Sequence, residues 1–313
     1  MAGADRNNPK NAASSDSRYT LMQFMQEFPD DATCLEHLWR ARFSADGVHA
    51  YCASPSCKQE RTFKRYETTQ QRQSWTCTTC GHHVHPTAGT IFHKSSTSLH
   101  LWFYVMYLMT STRCGISAKQ VEREIGVNYK TAARMMRQIR TEMSDANEKP
   151  LEGEVEADEM FVGGKPRAYP KLSREDHKNR RTPVVGMVER GGRIRAQVTA
   201  DVAGPTLRRI VRDNVKSMST LYTDEWQGYS TLEQDYFHHT INHSAKIYAT
   251  GATHTQTIEG FWATVKNGLR GVYHGVAPAN LQSYVDEYVF RYNTRNDRQD
   301  PFLTLLNRAA RAA

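Results

Sequence analysis

The sequence predicts an α/β protein in which a mixed sheet with helices on both faces follows a zinc ribbon and a helix-turn-helix. Three observations predict it. Cys52, Cys57, Cys77 and Cys80 fall in two close pairs, C-x4-C-x19-C-x2-C. Residues 117–143 read as a helix, a Gly-containing turn and a second helix. Beyond residue 153, β-capable runs broken by Gly-Gly pairs give way to runs of helical periodicity, so three antiparallel strands are followed by alternating helix and strand.

Residues 1–17 are polar, rich in Asn, Ser and Ala, and are expected to form a disordered tail. Residues 18–97 hold a helical lead-in over 20–45 and then the ribbon, with Arg61–Tyr66 and Gln73–Thr76 as its strands. Four thiolates in two pairs suit one tetrahedral zinc ion. His82, His83, His85 and His93 stand nearby, but the cysteines already complete the shell. Disulfides are the alternative use of these cysteines. No secretory signal precedes them and Cys34 and Cys114 have no evident partners, which favours metal-bound thiolates in a reduced compartment.

The apolar run Leu99–Met109 is too short to cross a bilayer and reads as a buried helix of a soluble chain. It opens residues 98–143, the helix-turn-helix region. Val121, Ile125, Val127, Ala132, Met136 and Ile139 are expected to pack inward, leaving Lys130, Arg134, Arg137 and Arg140 for phosphates or base edges. A plain helical hairpin shares this pattern, and charge favours the DNA-binding reading. Residues 51–140 contain 13 Lys or Arg against 4 Asp or Glu, a local balance of +9 beside +8 for the whole chain. Such a concentration suits a polyanion partner, and no basic amphipathic anchor or lipidation motif directs it to a membrane surface.

Residues 144–152 read as a linker, 153–305 as the catalytic domain and 306–313 as a tail. A strand from Glu154 runs into Gly163-Gly164, a hairpin joins Thr182–Glu189 to Arg193–Thr199, and Gly204–Lys216 is helical. Ser219–Asp224 and His238–Asn242 are further strands, and Pro278–Asn293 is a helix. Ile258, Phe261, Trp262, Val265 and Leu269 form the stripe of an amphipathic helix. At 100° per residue, Glu259, Lys266 and Arg270 project within about 40° of one another beside it.

Asp158, Asp224 and Glu259 are separated by 65 and 34 residues, with both aspartates expected at or near strand ends. Two carboxylates from neighbouring strands and a third from a later helix are what a two-metal phosphoryl-transfer site needs. Magnesium prefers oxygen ligands and is held by a few carboxylates plus substrate phosphate oxygens. A second basic run, Lys165–Arg181, has seven Lys or Arg and two acids beside Asp158. It suits either a solvated hairpin loop or a DNA-backbone clamp through Lys165, Arg180 and Arg181.

Together, Val155-Glu156-Ala157-Asp158-Glu159 with Gly163-Gly164-Lys165, then Thr223-Asp224, then His254-Thr255-Gln256-Thr257-Ile258-Glu259-Gly260-Phe261-Trp262 with Lys266 and Arg270-Gly271-Val272-Tyr273-His274, carry a resemblance. Over about residues 20–305 the chain resembles the DDE transposases of bacterial insertion sequences that carry an amino-terminal zinc ribbon, to which the eukaryotic Merlin elements are related. The resemblance implies a ribonuclease-H-like catalytic domain with Asp158, Asp224 and Glu259 as magnesium or manganese ligands and Lys266 as the associated basic residue. Some members of the group carry Asn at the third acidic position, where this chain keeps Glu259. Arg291, Asn293 and Arg295 match the terminal part of the pattern, in a structural role or as DNA contacts.

The function implied is a DNA transposase that binds the terminal repeats of its element and catalyses metal-dependent strand cleavage and strand transfer. The partners expected are double-stranded DNA, as element ends and target, and further copies of the chain assembled on it, with no membrane. The location expected is the cytoplasm, at the nucleoid in a bacterium. A zinc-ribbon transcriptional regulator would leave the three acids idle, and a ribonuclease-H-like nuclease would use them without joining strands.

Overall fold

The computed structural model describes residues 19–66, 73–145, 149–163, 181–241 and 255–311, which divide between two units, residues 1–111 with 298–313 and residues 112–297. The expected tail over 1–17, Lys165 and Arg180 lie outside the described residues.

In the first unit, Thr20 and Gln23 form a reciprocal capping box that starts α1 (Leu21–Glu27). Asp30 starts α2 (Asp31–Arg42) by accepting the Thr33 N–H at 2.8 Å. Both use a side-chain oxygen to satisfy a first-turn N–H that has no partner within the helix. A four-stranded antiparallel sheet follows in the order β1 (His49–Tyr51), β2 (Glu60–Tyr66), β3 (Ser74–Cys77) and β4 (His83–Val84). Trp75 of β3 stacks on Trp39 of α2 with centroids 4.9 Å apart, and Phe63 and the buried cysteines pack around them.

The remaining core of this unit is aromatic. Phe103 and Tyr107 of α3 (Leu99–Ser111) join Phe24, Phe28 and Phe302. Phe302 belongs to α9 (Pro301–Arg311), whose buried Phe302, Leu305, Leu306, Ala309 and Ala310 recur at helical spacing. The chain therefore does not trail into a tail at 306. Residues 301–311 form a helix of the first unit, because its apolar stripe packs on α2 and α3 and its Phe302 meets Phe24, Phe28 and Tyr107.

The second unit begins with α4 (Ala118–Ile125) and α5 (Tyr129–Thr141), capped by Ser117 and Asn128 and joined through Gly126 at φ +71°. Only a residue without a Cβ adopts that left-handed turn at no cost. The expected 98–143 region is thus divided, with α3 in the first unit and α4 and α5 in the second. What holds α5 there is electrostatic. Arg140 donates to Glu287 Oε2 at 2.6 Å with both side chains buried, and Arg291 and Tyr273 also bond Glu287. Burial alone would raise the Glu287 carboxyl, but Arg291 and Arg140 outweigh it and hold it below the usual range.

The main sheet has the order β7-β6-β5-β8-β9. The strands are β5 (Glu154–Val162), β6 (Thr182–Glu189), β7 (Ile194–Val198), β8 (Thr220–Asp224) and β9 (Phe237–Ile241). The first three run antiparallel as two hairpin-like pairs, while β8 and β9 run parallel to β5. Helix α6 (Gly204–Asn214) covers one face through Leu207, Ile210 and Val211 against Val155, Ala157, Val185 and Leu221. A 3-10 segment, Gln227–Gln234, adds Tyr229 and Leu232 to that side.

Helices α7 (Gln256–Gly271) and α8 (Leu281–Thr294) cover the opposite face. Ile258, Phe261, Trp262, Val265 and Leu269 meet Met160, Val184 and Val188 there. The approach is close at Gly186, which pairs with Asp158 across β5 and β6. A Cβ at Gly186 would stand 2.5 Å from Trp262 Cζ2 and 3.0 Å from Ile258 Cδ1. Gly186→Val is therefore expected to push α7 off the sheet and cost about 1–3 kcal/mol by overpacking, read as a lowered urea midpoint. An unchanged midpoint would show that α7 has room to spare.

Candidate functional site

Strand pairing fixes the first two acids. In the parallel pair, Glu154 lies opposite Thr220, Val155 opposite Leu221 and Glu156 opposite Tyr222, where the pairing ends; Asp158 and Asp224 each follow two residues on, at the same offset of 66. Alternation decides the face. Val155 and Ala157 point toward α6, so Glu156, Asp158 and Met160 point toward α7, as Met160 in the α7 core confirms. Asp224 shares parity with Tyr222 on that side and ends β8, whereas Asp158 sits at the middle of β5, not near its end. The strand runs on to Val162, just before Gly163, as expected, and Asp158 therefore stands four residues short of its end.

Glu259 enters from α7. It lies in the first turn on the exposed side of the buried Ile258–Leu269 stripe, with Lys266 and Arg270 exposed farther along the helix. Thr255 Oγ1 donates to Glu259 Oε1 at 3.2 Å, and the Trp226 N–H donates to Asp224 Oδ1 at 3.0 Å. Each carboxylate is thus aimed by a neighbour close in sequence.

The acids act on one another. Burial, then the Asp224 charge and, more weakly, Glu259, push the Asp158 carboxyl up from 3.8 to about 6, against the opposing pull of Lys266. Glu159, on the α6 side of the same strand, is pushed up to about 7 by burial, Asp224 and Asp158, while accepting from the Tyr229 hydroxyl at 3.0 Å. A group of carboxylates in which burial and neighbouring charge raise Asp158 and Glu159 is a donor set suited to a hard divalent cation.

The four cysteines converge more tightly. Their sulfurs lie within 4.8 Å of one another, with Cys52 Sγ and Cys80 Sγ 3.5 Å apart, and none is in a disulfide. Tetrahedral zinc with bonds of about 2.3 Å separates its sulfurs by about 3.8 Å, so the cluster fits a zinc ribbon. Burial would raise the Cys77 thiol, but the backbone N–H groups of Cys80 and Thr79 turn toward it and bring it down to about 7. Arg61 Nε donates to Cys57 Sγ at 3.2 Å. The Cys77 donors favour its thiolate, while burial pushes the Cys52 thiol up to about 12. His83 instead bonds Thr76 at 2.9 Å and stands outside the cluster.

The basic candidates separate. Lys130, Arg134 and Arg137 are exposed on one face of α5, opposite buried Ala132, Met135, Met136 and Ile139. Arg140, only 4% exposed, is spent on Glu287 and its guanidinium lies 3.9 Å over the Tyr284 ring, so it is withdrawn from the DNA contacts expected of it. Arg181 is exposed at the start of β6. Of the terminal motif, Asn293 bonds the Ile194 backbone and Asp145, and Arg291 bonds Glu287, which are structural roles.

The sequence reading missed Glu156 and Arg190. The fully buried Glu156 carboxylate accepts from Thr257 and Ile258 of α7 and from Arg190. The available signal was an acid on the inward-facing register of a covered strand, which is tolerable only when paired.

Residues 150–293, the span that holds all three acids, match the ISXO2-like transposase domain. The chain is 28% identical over 274 residues to a protein in the transposable element ISH50 of Halobacterium salinarum, covering 83% of this chain and 91% of that one. It is 31% identical over 97 residues to a transposase-like protein of Haemophilus influenzae, covering 31% of this chain and 77% of that one. The chain belongs to the insertion-sequence transposases. Among the described residues, no helix is long and apolar enough to cross a membrane.

Since Asp158 has its carboxyl raised from 3.8 to about 6, its contribution to stability is fully present below about pH 4 and is lost as pH rises to about 6. Metal-free Asp158→Asn is accordingly expected to exceed the parent in stability above pH 6, by on the order of 1–3 kcal/mol, with the difference closing toward pH 4. Urea unfolding across that range in the presence of a chelator checks it. A variant less stable at pH 7 would mean that the acids do not repel as described.

Proposed function

We propose that this transposase is a DDE enzyme that cleaves and joins DNA strands by two-metal phosphoryl transfer. The observation that carries the reading is the shared level and face of Asp158 and Asp224 on parallel neighbouring strands, with Glu259 on the helix covering that face. The order of three antiparallel strands followed by two parallel ones supports a ribonuclease-H-like domain.

Asp158, Asp224 and Glu259 would hold magnesium or manganese, whose chemistry when bound is to stabilise the attacking and leaving oxygens of an in-line displacement. The chain's own cations handle the substrate. Lys266 and Arg270, on the helix that carries Glu259, are placed to meet backbone phosphates. Helices α4 and α5 serve as the helix-turn-helix, with Lys130, Arg134 and Arg137 on its reading face. Arg181 is the described end of the proposed backbone clamp. The substrate is double-stranded DNA at element ends and target, on which copies of the chain assemble.

Asp158→Asn, Asp224→Asn and Glu259→Gln are each expected to keep folding and binding to terminal-repeat DNA and to abolish both cleavage and joining. Lys266→Ala should lose roughly tenfold, the worth of one charge-assisted phosphate contact. A cleavage and strand-transfer assay on terminal-repeat DNA decides, and full activity in any of the three amide variants would remove that acid from the site.

In the ribbon, Cys52, Cys57, Cys77 and Cys80 would hold zinc, which supplies cross-linking that a four-stranded sheet this small lacks on its own. Metal analysis is expected to find one zinc per chain. Chelation should then unfold the ribbon, read as loss of the Trp39–Trp75 stacking signal in near-ultraviolet circular dichroism. Metal-free protein with that signal intact would overturn this role.

A further inference from the structure

The start of α7 is unusual in where it finds its cap. Thr255 precedes the helix but makes no side-chain cap bond to it, and its hydroxyl is turned to Glu259. The first-turn N–H groups, which have no partner within a helix, are instead met from the sheet. Glu156 Oε2 accepts the N–H of Thr257 at 2.9 Å and of Ile258 at 3.1 Å, and Oε1 accepts the Thr257 hydroxyl at 3.0 Å. A carboxylate at a helix start also meets the positive end of the helix dipole.

The tie extends to a third element. Arg190 Nε donates to Glu156 Oε1 at 2.9 Å, its Nη1 donates to Glu154 at 3.1 Å, and its guanidinium lies 3.9 Å over the Tyr222 ring. Tyr222 lies opposite Glu156 in the sheet and two residues before Asp224. Glu156 itself is two residues before Asp158, and Thr257 is two residues before Glu259. One buried cluster therefore joins the three elements that carry the three acids, each at the same remove from its acid.

We propose that Glu156 is the positioning residue of the acidic site. It fastens the first turn of α7, and with it Glu259, to the strand of Asp158, and through Arg190 to the strand of Asp224. Glu156 is not a metal ligand, because its oxygens are already taken by donors of the chain. This inference rests on reading the three acids as a metal site, so its test has one readout that needs no metal and one that does.

The experiment uses the full chain with Glu156→Gln, Thr257→Val and Asp158→Asn. Amide hydrogen exchange without metal is measured along α7, and Mn2+ binding is followed by electron paramagnetic resonance. Glu156→Gln is expected to speed exchange in residues 257–259 roughly tenfold relative to the middle of the helix. It should also weaken Mn2+ binding by about 10- to 100-fold, the usual effect of removing a group that orients metal ligands. Thr257→Val, which removes one hydroxyl and leaves the buried charge paired, should move both in the same direction by roughly threefold. It decides the matter if Glu156→Gln fails to fold. Excess Mn2+ should restore part of the cleavage lost in either variant.

First-turn exchange and Mn2+ affinity equal to the parent's would overturn the proposal, as would exchange that rises equally along the whole of α7, the mark of a general loss of stability. If the parent binds no Mn2+ that Asp158→Asn removes, the metal-site reading fails, while the exchange data still report whether Glu156 fastens α7.

Discussion

Carboxylates gathered around neighbouring strands repel one another, and the second unit must hold them together against that force. Asp158 and Glu159 bear the strain visibly, since burial and neighbouring charge push both above the ordinary carboxylate range. Backbone hydrogen bonding supplies the rigidity. Asp158 is paired to β6 through Gly186, and the parallel pairing of β5 with β8, which ends at Glu156 and Tyr222 two residues before each aspartate, sets its height relative to Asp224. The third acid is brought in by packing, with Gly186 giving α7 its close seat. Sites that concentrate like charge trade stability for a ligand that later relieves it.

A second concentration of charge does the opposite. Arg140, Glu287 and Arg291 form a buried cluster with Tyr273, in which opposite signs alternate around the Glu287 carboxylate. Such clusters contribute less to net stability than their Coulomb attraction suggests, because desolvation consumes most of the gain. They do define an arrangement closely, since a shifted α5 would strand a buried guanidinium. Gly115 and Gly268 tighten the same region, as a Cβ at either would collide with the hydroxyl of Tyr273 or Tyr288.

The cysteine quartet was legible in the sequence because it depends on residue type at fixed spacing, and the proposed acids were singled out in the same way. The alternation of patterns gave three antiparallel strands followed by helix and strand, and every strand and helix expected over 182–224 is present within a few residues. Other features depend on partners far along the chain. Arg140 continues the basic series of α5 and reads as another surface cation, and only Glu287, 147 residues later, reveals it as buried. Glu156 reads as part of the acidic motif because nothing local shows that Thr257 will donate to it. Helix α9 carries a legible stripe, yet its partners in α2 and α3 lie some two hundred residues earlier, and a stripe without a known partner is easily left as a tail.

That return of α9 has a consequence for the order in which the protein takes shape. Phe302 contributes to the aromatic cluster of Phe24, Phe28 and Tyr107, so the first unit is built from two stretches of chain with the whole of the second between them. A ribosome delivers α1, α2, the ribbon and α3 early, but it delivers their last core residues only after all of residues 112–297. During synthesis the second unit can therefore finish while the first still exposes an unfilled aromatic surface, and the amino-terminal module reaches its complete core only when the final helix has been made.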